Sequence, residues 1–253
     1  FLSKSINEFN LDDFLYLSYA NYEIIFSDLY IKFLKTLKEF IVNLRININT
    51  NMKFTKIWYD AFVRNILNMP NSQPVDEIKN LYRNKPAIIV SAGPSLEKNV
   101  HLLKEIQDKF IIITGGRTLK TLLDLGIKPD FVVVIDPVEK TYRLLKPVLY
   151  NESPLIYYEG TNPDVVNEYR GEKYYFVLND FTKKILGREV SPLLTGGSVA
   201  ITCLGLALHL GCDPIVFIGQ DLAYTNNKLH SDNAKLNEET NKIDDPNSFY
   251  VDD

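Results

Sequence analysis

From Pro86 onward, the chain alternates short apolar runs with segments whose apolar residues recur every three or four positions. The apolar runs predict strands, and their continuously apolar interiors are typical of strands covered on both faces of a sheet. Helical spacing between the runs, over about 97–108, 117–125, 138–149, 163–169, 180–186 and 198–210, predicts crossover helices. We therefore expect an α/β fold with a mostly parallel sheet of about six or seven strands. The predicted strands are Ala87–Ser91, Phe110–Thr114, Phe131–Ile135, Leu155–Tyr158, Tyr174–Leu178 and Ile215–Gly219.

The first 82 residues follow a different pattern, which predicts an N-terminal helical region. Apolar residues from Leu11 to Ile41 recur about every 3.6 positions, with Lys, Asp and Glu between them. The patch Asn47–Asn51 predicts a break, and a further helix from about 53 to 67 precedes a proline-containing stretch. We therefore divide the chain into a helical region, 1–82, and an α/β domain, 83–253. Because the chain ends in a polar stretch without a closing helix, we expect the second domain to be C-terminally incomplete.

Composition narrows the classes of partner. The 253 residues carry a net charge of −4, without the basic stripe that nucleic acid requires, so we expect no nucleic-acid partner. No apolar run reaches the roughly 18 residues that span a bilayer, so we expect no membrane association. The two cysteines, Cys203 and Cys212, lie in and just after an apolar helical pattern and are expected to be buried free thiols.

The loop after the first predicted strand is the first candidate ligand site. Ser91, Gly93, Pro94 and Ser95 form a small-residue turn between a strand and a helical pattern. A helix beginning there would direct free N–H groups and its positive dipole end at one point, which suits a phosphate. Gly93 would let a ligand approach the backbone closely. The turn matches neither the dinucleotide-binding nor the P-loop motif, and its alternative interpretation is an ordinary turn.

Small or polar residues also follow the other predicted strands. Ligands of open parallel sheets bind beyond the carboxyl ends of the strands, so we expect these loops to form one cleft. The candidates are Gly115 and Gly116 after the second strand, Asp136 after the third, 159–163 after the fourth, 179–180 after the fifth, and Gln220, Asp221 and Tyr224 after the last.

A second candidate anion site precedes the last apolar helix. Gly196, Gly197 and Ser198 would leave the start of that helix open to a ligand, although Ser198 could simply cap it. Asp136 likewise has two interpretations. It could bind a metal, a ribose hydroxyl or an amine, or it could cap the helix after Pro137.

Three histidines are available for proton transfer. His101 and His209 lie within helical patterns, which favours structural roles. His230 lies in the polar segment beyond the last strand, where an imidazole could reach the cleft and act as a general base.

Several of these motifs, in their order and spacing, resemble the motility accessory factor (Maf) glycosyltransferases over about residues 80–232. The resemblance implies a Rossmann-like nucleotide-sugar-binding domain, similar to that of bacterial sialyltransferases, in which the G-P-S loop binds the nucleotide and a histidine, here His230, is the proposed base. The motifs are Ser91–Leu96, Gly126–Phe131 leading to Ile135–Pro137, Gly196–Ala200, and Gly211–Pro214 leading to Gly219–Tyr224.

The resemblance implies a cytoplasmic transferase of flagellin glycosylation and motility. Such an enzyme moves a nonulosonic, sialic-acid-like sugar from a CMP-activated donor to Ser or Thr of flagellin, with no required cofactor. A distant branch with the same signatures, the archaeal 6-hydroxymethylpterin diphosphokinases, uses ATP and Mg²⁺; in that case Asp136 and Asp221 would bind the metal. A third possibility is a non-enzymatic nucleotide-binding or flagellar-partner module.

Overall fold

The structure is a computed structural model that describes residues 2, 6–7, 10–223, 228, 230–231 and 234. The chain forms two compact units, Phe1–Ile57 and Trp58–Asp253. The domain boundary expected after residue 82 stays a prediction.

The first unit is built on helices. Helix α1 spans Tyr22–Ile25, and helix α2 spans Ser27–Asn68 and continues into the second unit. In the first unit, Ile6, Leu11 and Leu37 form a small buried core. The expected break at Asn47–Asn51 is wrong, because α2 runs through it. Asn and Thr weaken a helix by only about 0.7 kcal/mol each or less, and the segment contains neither Gly nor Pro to interrupt it.

The second unit contains a seven-stranded sheet in which every pairing is parallel. The expected α/β fold and strand number are confirmed. The strands are β1 (Gln73–Pro74), β2 (Ala87–Val90), β3 (Ile111–Gly115), β4 (Phe131–Val133), β5 (Leu155–Tyr158), β6 (Lys173–Phe176) and β7 (Ile215–Ile218), in the spatial order β1-β6-β5-β4-β3-β2-β7.

Alternation along the inner strands supplies a core on each face of this sheet. On β2, Ala87 and Ile89 face one core, which includes Leu206 of the last helix, while Ile88 and Val90 face the other. The edge strand β7 departs from the expectation of full coverage, because Val216 is 43% exposed and Phe217 is 39% exposed.

The crossover helices mostly match the sequence pattern. After α2 they are α3 (Leu96–Asn99), α4 (Leu103–Ile106), α5 (Gly116–Asp124), α6 (Glu139–Leu145), α7 (Pro163–Glu168), α8 (Asp180–Leu186) and α9 (Val199–His209).

The expected helix over 97–108 is wrong in one respect. It is divided into α3, α4 and two 3₁₀ turns, Val100–Leu102 and Gln107–Lys109. The backbone leaves helical geometry at Asn99, where φ is −125°, and at Ile106, where φ is −120°. Apolar residues three or four apart face the same way in α and 3₁₀ turns, so the spacing does not distinguish them.

Candidate functional site

Every pairing in the sheet is parallel, so the loops that follow the strands all lie on the same side of the sheet, at the carboxyl ends of the strands. From β2 to β6 the chain adds strands in one direction, and β7 then joins the other side of β2. The strand order therefore reverses between β2 and β7. In doubly wound sheets such a reversal opens the crevice in which ligands bind. The candidate site is this crevice together with the neighbouring strand ends.

The loops after β2 and β7 are hydrogen-bonded to each other along their length. Ser91 N–H donates to the carbonyl of Ile218 over 2.9 Å, and Gly93 N–H donates to that of Gly219 over 2.8 Å. Further along, Ser95 N–H donates to Asp221 Oδ2 over 2.9 Å. The hydroxyl of Ser95 also donates to Asp221 Oδ1. These N–H groups of the G-P-S loop are therefore bound within the protein.

Gly93 is needed for this close approach of the protein to itself. A Cβ at position 93 would lie 2.6 Å from the carbonyl oxygen of Gly219 and 2.7 Å from Asp221 Oδ1. The space that the sequence suggested for a ligand is filled here by Gly219 and Asp221, which follow β7. The helix that follows, α3, has four residues, so its dipole is small compared with that of a full helix.

Two longer helices begin close together beside this loop. Gly115 precedes the first residue of the nine-residue α5, and a Cβ on it would lie 2.9 Å from Val199 Cγ1, at the start of the eleven-residue α9. Gly116 packs against Leu145. Hence the Gly115–Gly116 turn and the start of α9 are neighbours, as expected of two parts of one cleft.

The turn before α9 is open. Gly196, Gly197 and Ser198 are exposed, Gly197 has a φ of +72°, and nothing lies within 4 Å of the position a Cβ would take there. Ser198 Oγ accepts the N–H of Ala200 over 3.3 Å. Ser198 thus caps α9, and its contact with a ligand stays a prediction.

Asp136 lies three residues beyond the end of β4, and part of the residue is exposed to solvent. Surrounding protein atoms displace water and raise its pKa, while the positive charge of Arg117 acts in the opposite direction. The backbone carbonyl of Asp136 accepts the N–H of Asn162 over 3.0 Å. Asn162 in turn caps α7 through its side chain. The helix after Pro137 is α6, whose N-cap residue is Val138 and which has no side-chain cap hydrogen bond, so Asp136 does not cap it.

Tyr158 and Glu159 lie at the end of β5, next to the loop that carries Asp136. The sequence analysis singled out neither of them by itself. Burial, together with the charges of Glu159 and Asp136, raises the pKa of Tyr158 to about 12. Glu159 is 5% exposed, and its Oε1 accepts the N–H groups of Leu178, over 3.1 Å, and Asn179, over 2.8 Å. Its burial raises its pKa despite these bonds. Glu159 thereby ties the ends of β5 and β6 together.

The structure separates Asp136 from Asp221. They follow β4 and β7, which have β3 and β2 between them. Three strand spacings of about 4.8 Å separate β4 from β7 by about 14 Å. Carboxylates that share one Mg²⁺ are ligands at about 2.1 Å from it, so the strand order does not bring this pair together. Among the described residues, no group of three or more His, Cys, Asp and Glu side chains could hold a metal ion.

The three histidines lie in different surroundings. His230 is half-buried, and the next residue, Ser231, donates its N–H to the carbonyl of Ala92 over 2.8 Å. His101 is exposed on a 3₁₀ turn. His209 ends α9, and its Nε2 lies 3.0 Å from the carbonyl oxygen of Val75. His230 is thus the histidine beside the G-P-S loop.

The remaining site candidates are Gln220 and Tyr224. Gln220 is half-buried between Gly219 and Asp221. Tyr224 lies outside the described residues. Arg117, at the start of α5, donates to the carbonyl of Ala234 over 3.3 Å, which brings a second point of the segment after β7 to this edge. No helix within the described ranges has the length and apolar character required to cross a membrane.

These features define a doubly wound, Rossmann-like α/β protein whose candidate crevice lies at the β2/β7 reversal. The profile of the family described as 6-hydroxymethylpterin diphosphokinase MptE-like matches residues 60–227. The chain belongs to this MptE-like family, and the resemblance found in the motifs is confirmed.

Two curated relatives match shorter stretches. A 6-hydroxymethyl-7,8-dihydropterin pyrophosphokinase of Methanocaldococcus jannaschii is 35% identical over 76 residues, which are 29% of this chain and 32% of that protein. An uncharacterized protein of Treponema pallidum is 30% identical over 101 residues, or 39% of this chain and 46% of the relative. The matches thus span less than half of either relative.

Among solved structures, the chain is similar in fold to the Maf glycosyltransferase of Magnetospirillum magneticum AMB-1. The TM-score is 0.52 and the identity is 22%, and the match covers 71% of this chain and 31% of that one.

Proposed function

We propose that this chain contains the donor-binding, catalytic part of a glycosyltransferase, which transfers a nonulosonic sugar from a CMP-linked donor to Ser or Thr of flagellin in the cytoplasm. The observation that carries the proposal is the meeting of the G-P-S loop, two helix starts and His230 at the β2/β7 crevice. The fold shared with a Maf glycosyltransferase supports the choice of reaction.

The phosphate of the donor would bind where α5 and α9 begin. Both helices are long enough for their first N–H groups and dipoles to favour an anion, and the exposed Gly196–Ser198 turn leaves room for one. Gly115 allows the two helices to start close together, and Gly116 faces Leu145 of α6. The cytidine would extend from this point along the G-P-S loop, toward Ser91, Pro94 and Gln220.

Transfer would proceed by attack of the acceptor hydroxyl oxygen on the anomeric carbon. The bond from that carbon to the phosphate oxygen breaks, and CMP leaves with the bonding electron pair. The hydroxyl proton passes to the imidazole of His230, which acts as general base. Negative charge grows on the phosphate as CMP departs, so N–H groups already directed at it would favour the transition state. This route requires no cofactor.

An ATP-dependent pyrophosphokinase is the second candidate. It is favoured by the 35% identity to a pterin pyrophosphokinase and by the description of the family. It needs Mg²⁺ at the phosphates. Because the strand order separates Asp136 from Asp221, either each would bind a different Mg²⁺ ion or only one of the two would bind metal.

Calorimetric titration of the 253-residue chain with CMP and with ATP, each with Mg²⁺ and with EDTA, separates the candidates. The glycosyltransferase proposal predicts binding of CMP that EDTA leaves unchanged. Binding of ATP that depends on Mg²⁺, without binding of CMP, would instead support the pyrophosphokinase. If neither nucleotide binds, both proposals fail.

A further inference from the structure

We propose that Asp221 is a positioning residue, which fastens the G-P-S loop to the exit of β7 and so holds the loop against the segment that carries His230. It would act through the loop and would bind neither the donor nor a metal itself. The link to catalysis rests on the proposed function, whereas the fastening itself does not.

The contacts of the carboxylate are the first support. Both of its oxygens accept hydrogen bonds from Ser95, Oδ2 from the backbone N–H over 2.9 Å and Oδ1 from the hydroxyl. One residue thereby fixes both the backbone and the side chain of the loop. Hydrogen bonds to an ionised acceptor are about twice as strong as neutral ones, so these two bonds can hold the loop in position.

The space around the carboxylate is the second support. A Cβ at position 93 would come within 2.7 Å of Asp221 Oδ1, so only glycine leaves room for this carboxylate. Gly219 has a φ of +66°, and a Cβ on it would lie 2.2 Å from the carbonyl oxygen of Ser91. Two glycines on facing loops therefore allow Asp221 to reach Ser95.

The loop also connects Asp221 with His230. Ala92, three residues before Ser95, accepts the N–H of Ser231 over 2.8 Å. The G-P-S loop is consequently held by Asp221 at one end and contacts the residue next to His230 at the other. A loop released from Asp221 would change the surroundings of the imidazole without any change to His230 itself.

The chain offers a matched control in Asp76. Its Oδ2 accepts the N–H of Ser191 over 3.0 Å, and its Oδ1 accepts the hydroxyl of the same serine. The pattern is the one that Asp221 makes with Ser95. Asp76 follows β1, at the opposite edge of the sheet from β7, and so it provides the same fastening away from the crevice.

The test compares Asp221→Asn with Asp76→Asn in the full chain, using thermal unfolding, NMR of histidine-labelled protein and titration with CMP. His101→Ala and His209→Ala assign the three imidazole signals. We expect both Asn variants to lower the unfolding midpoint by roughly 2–8 °C, since each loses charge-assisted hydrogen bonds. Only Asp221→Asn should shift the His230 signals, and it should weaken CMP binding by roughly tenfold, or about 1.4 kcal/mol.

Ser95→Ala gives a milder variant in case Asp221→Asn does not fold. It removes the hydroxyl donor and keeps the N–H, and it should shift the His230 signals in the same direction. If the His230 signals of either folded variant have the same chemical shifts as in the wild type, the proposal is overturned. The proposal is also overturned if Asp221→Asn keeps the wild-type unfolding midpoint but loses Mg²⁺-dependent binding of ATP, because that result would identify Asp221 as a metal ligand. If the wild type binds no CMP, the proposed function fails. The His230 NMR signals and the unfolding midpoints would still show whether Asp221 holds the G-P-S loop in place.

Discussion

The N–H of Ser231 donates to the carbonyl of Ala92 over 2.8 Å, which joins the segment beyond β7 to the loop beyond β2. The two residues are far apart in the sequence, and each lies next to a candidate of a different kind. Ala92 lies within the proposed donor-binding loop, and Ser231 follows the proposed base. The contact is the geometric reason for treating the loop and His230 as one site.

His230→Ala tests the base. If His230 takes the proton of the acceptor, its loss should lower kcat by about 10²–10⁴-fold and leave the dissociation constant of CMP nearly unchanged. Turnover of a CMP-linked nonulosonate and titration with CMP measure the two quantities. His101→Ala is the control, because His101 is exposed on a 3₁₀ turn. Full activity of the His230 variant would remove the imidazole from the mechanism.

Gly93→Ala tests the close approach of the two loops. The added Cβ would meet the Gly219 carbonyl at 2.6 Å, and such overpacking costs about 1–3 kcal/mol. We expect a lower free energy of unfolding in urea and weaker CMP binding. Gly187→Ala is the control, since nothing lies within 4 Å there but its φ of +64° strains any side chain. It should lower stability and leave the CMP affinity unchanged, and equal affinities in the two variants would contradict the packing argument.

Gly115→Ala tests the proposed phosphate position. Its Cβ would lie 2.9 Å from Val199 Cγ1 and should push the start of α9 away from α5. Calorimetry should show weaker binding of CMP. Val199→Ala removes the opposing methyl groups, so adding it to Gly115→Ala should restore the affinity. A Gly115→Ala variant that binds CMP like the wild type would place the phosphate elsewhere.

Asp76→Asn gives a pH dependence with a definite sign. Burial acts to raise the pKa of Asp76, but the hydrogen bonds from Ser191, the charge of His209 and a backbone hydrogen bond of Asp76 together outweigh it, so the net pKa is lowered. The folded state therefore favours the ionised carboxylate, and its stabilisation is present above the unfolded pKa of about 3.9. Urea unfolding should show the wild type more stable than the variant at pH 7, by about 1 kcal/mol. The difference should shrink as the pH falls below about 4, and a difference that is constant down to pH 2.5 would contradict the assignment.

Some expectations from the sequence depended on local patterns and held well. The helix expected at 180–186 is α8, Asp180–Leu186, and the strand expected at Leu155–Tyr158 is β5. Apolar runs and helical spacing report local burial, which decides these elements. The same logic does not identify β1, because its two residues include a proline and carry no periodic pattern.

The candidate site was predictable as a set of loops but not as a set of contacts. The position of Gly93 after a strand indicates a tight turn, yet a glycine that makes room for a ligand and one that makes room for Asp221 look the same in the sequence. For Glu159 and Asn162 the sequence indicated a place among the polar residues after the fourth strand, but not the groups that they contact. Their partners, Leu178 and Asn179 for Glu159 and Pro137 for Asn162, lie on neighbouring loops.

The sequence by itself determined the layered α/β architecture, the positions of six of the seven strands and the family, because hydrophobic periodicity and short motifs are local properties. Only the tertiary structure decided what Asp221 does. Its partner Ser95 is 126 positions away, and the two meet because β7 pairs with β2 after the chain has crossed the sheet. Strand order depends on the packing of the whole sheet. The hydrogen bonds between Ser95 and Asp221 depend on that order, so the local sequence pattern around either residue does not predict them.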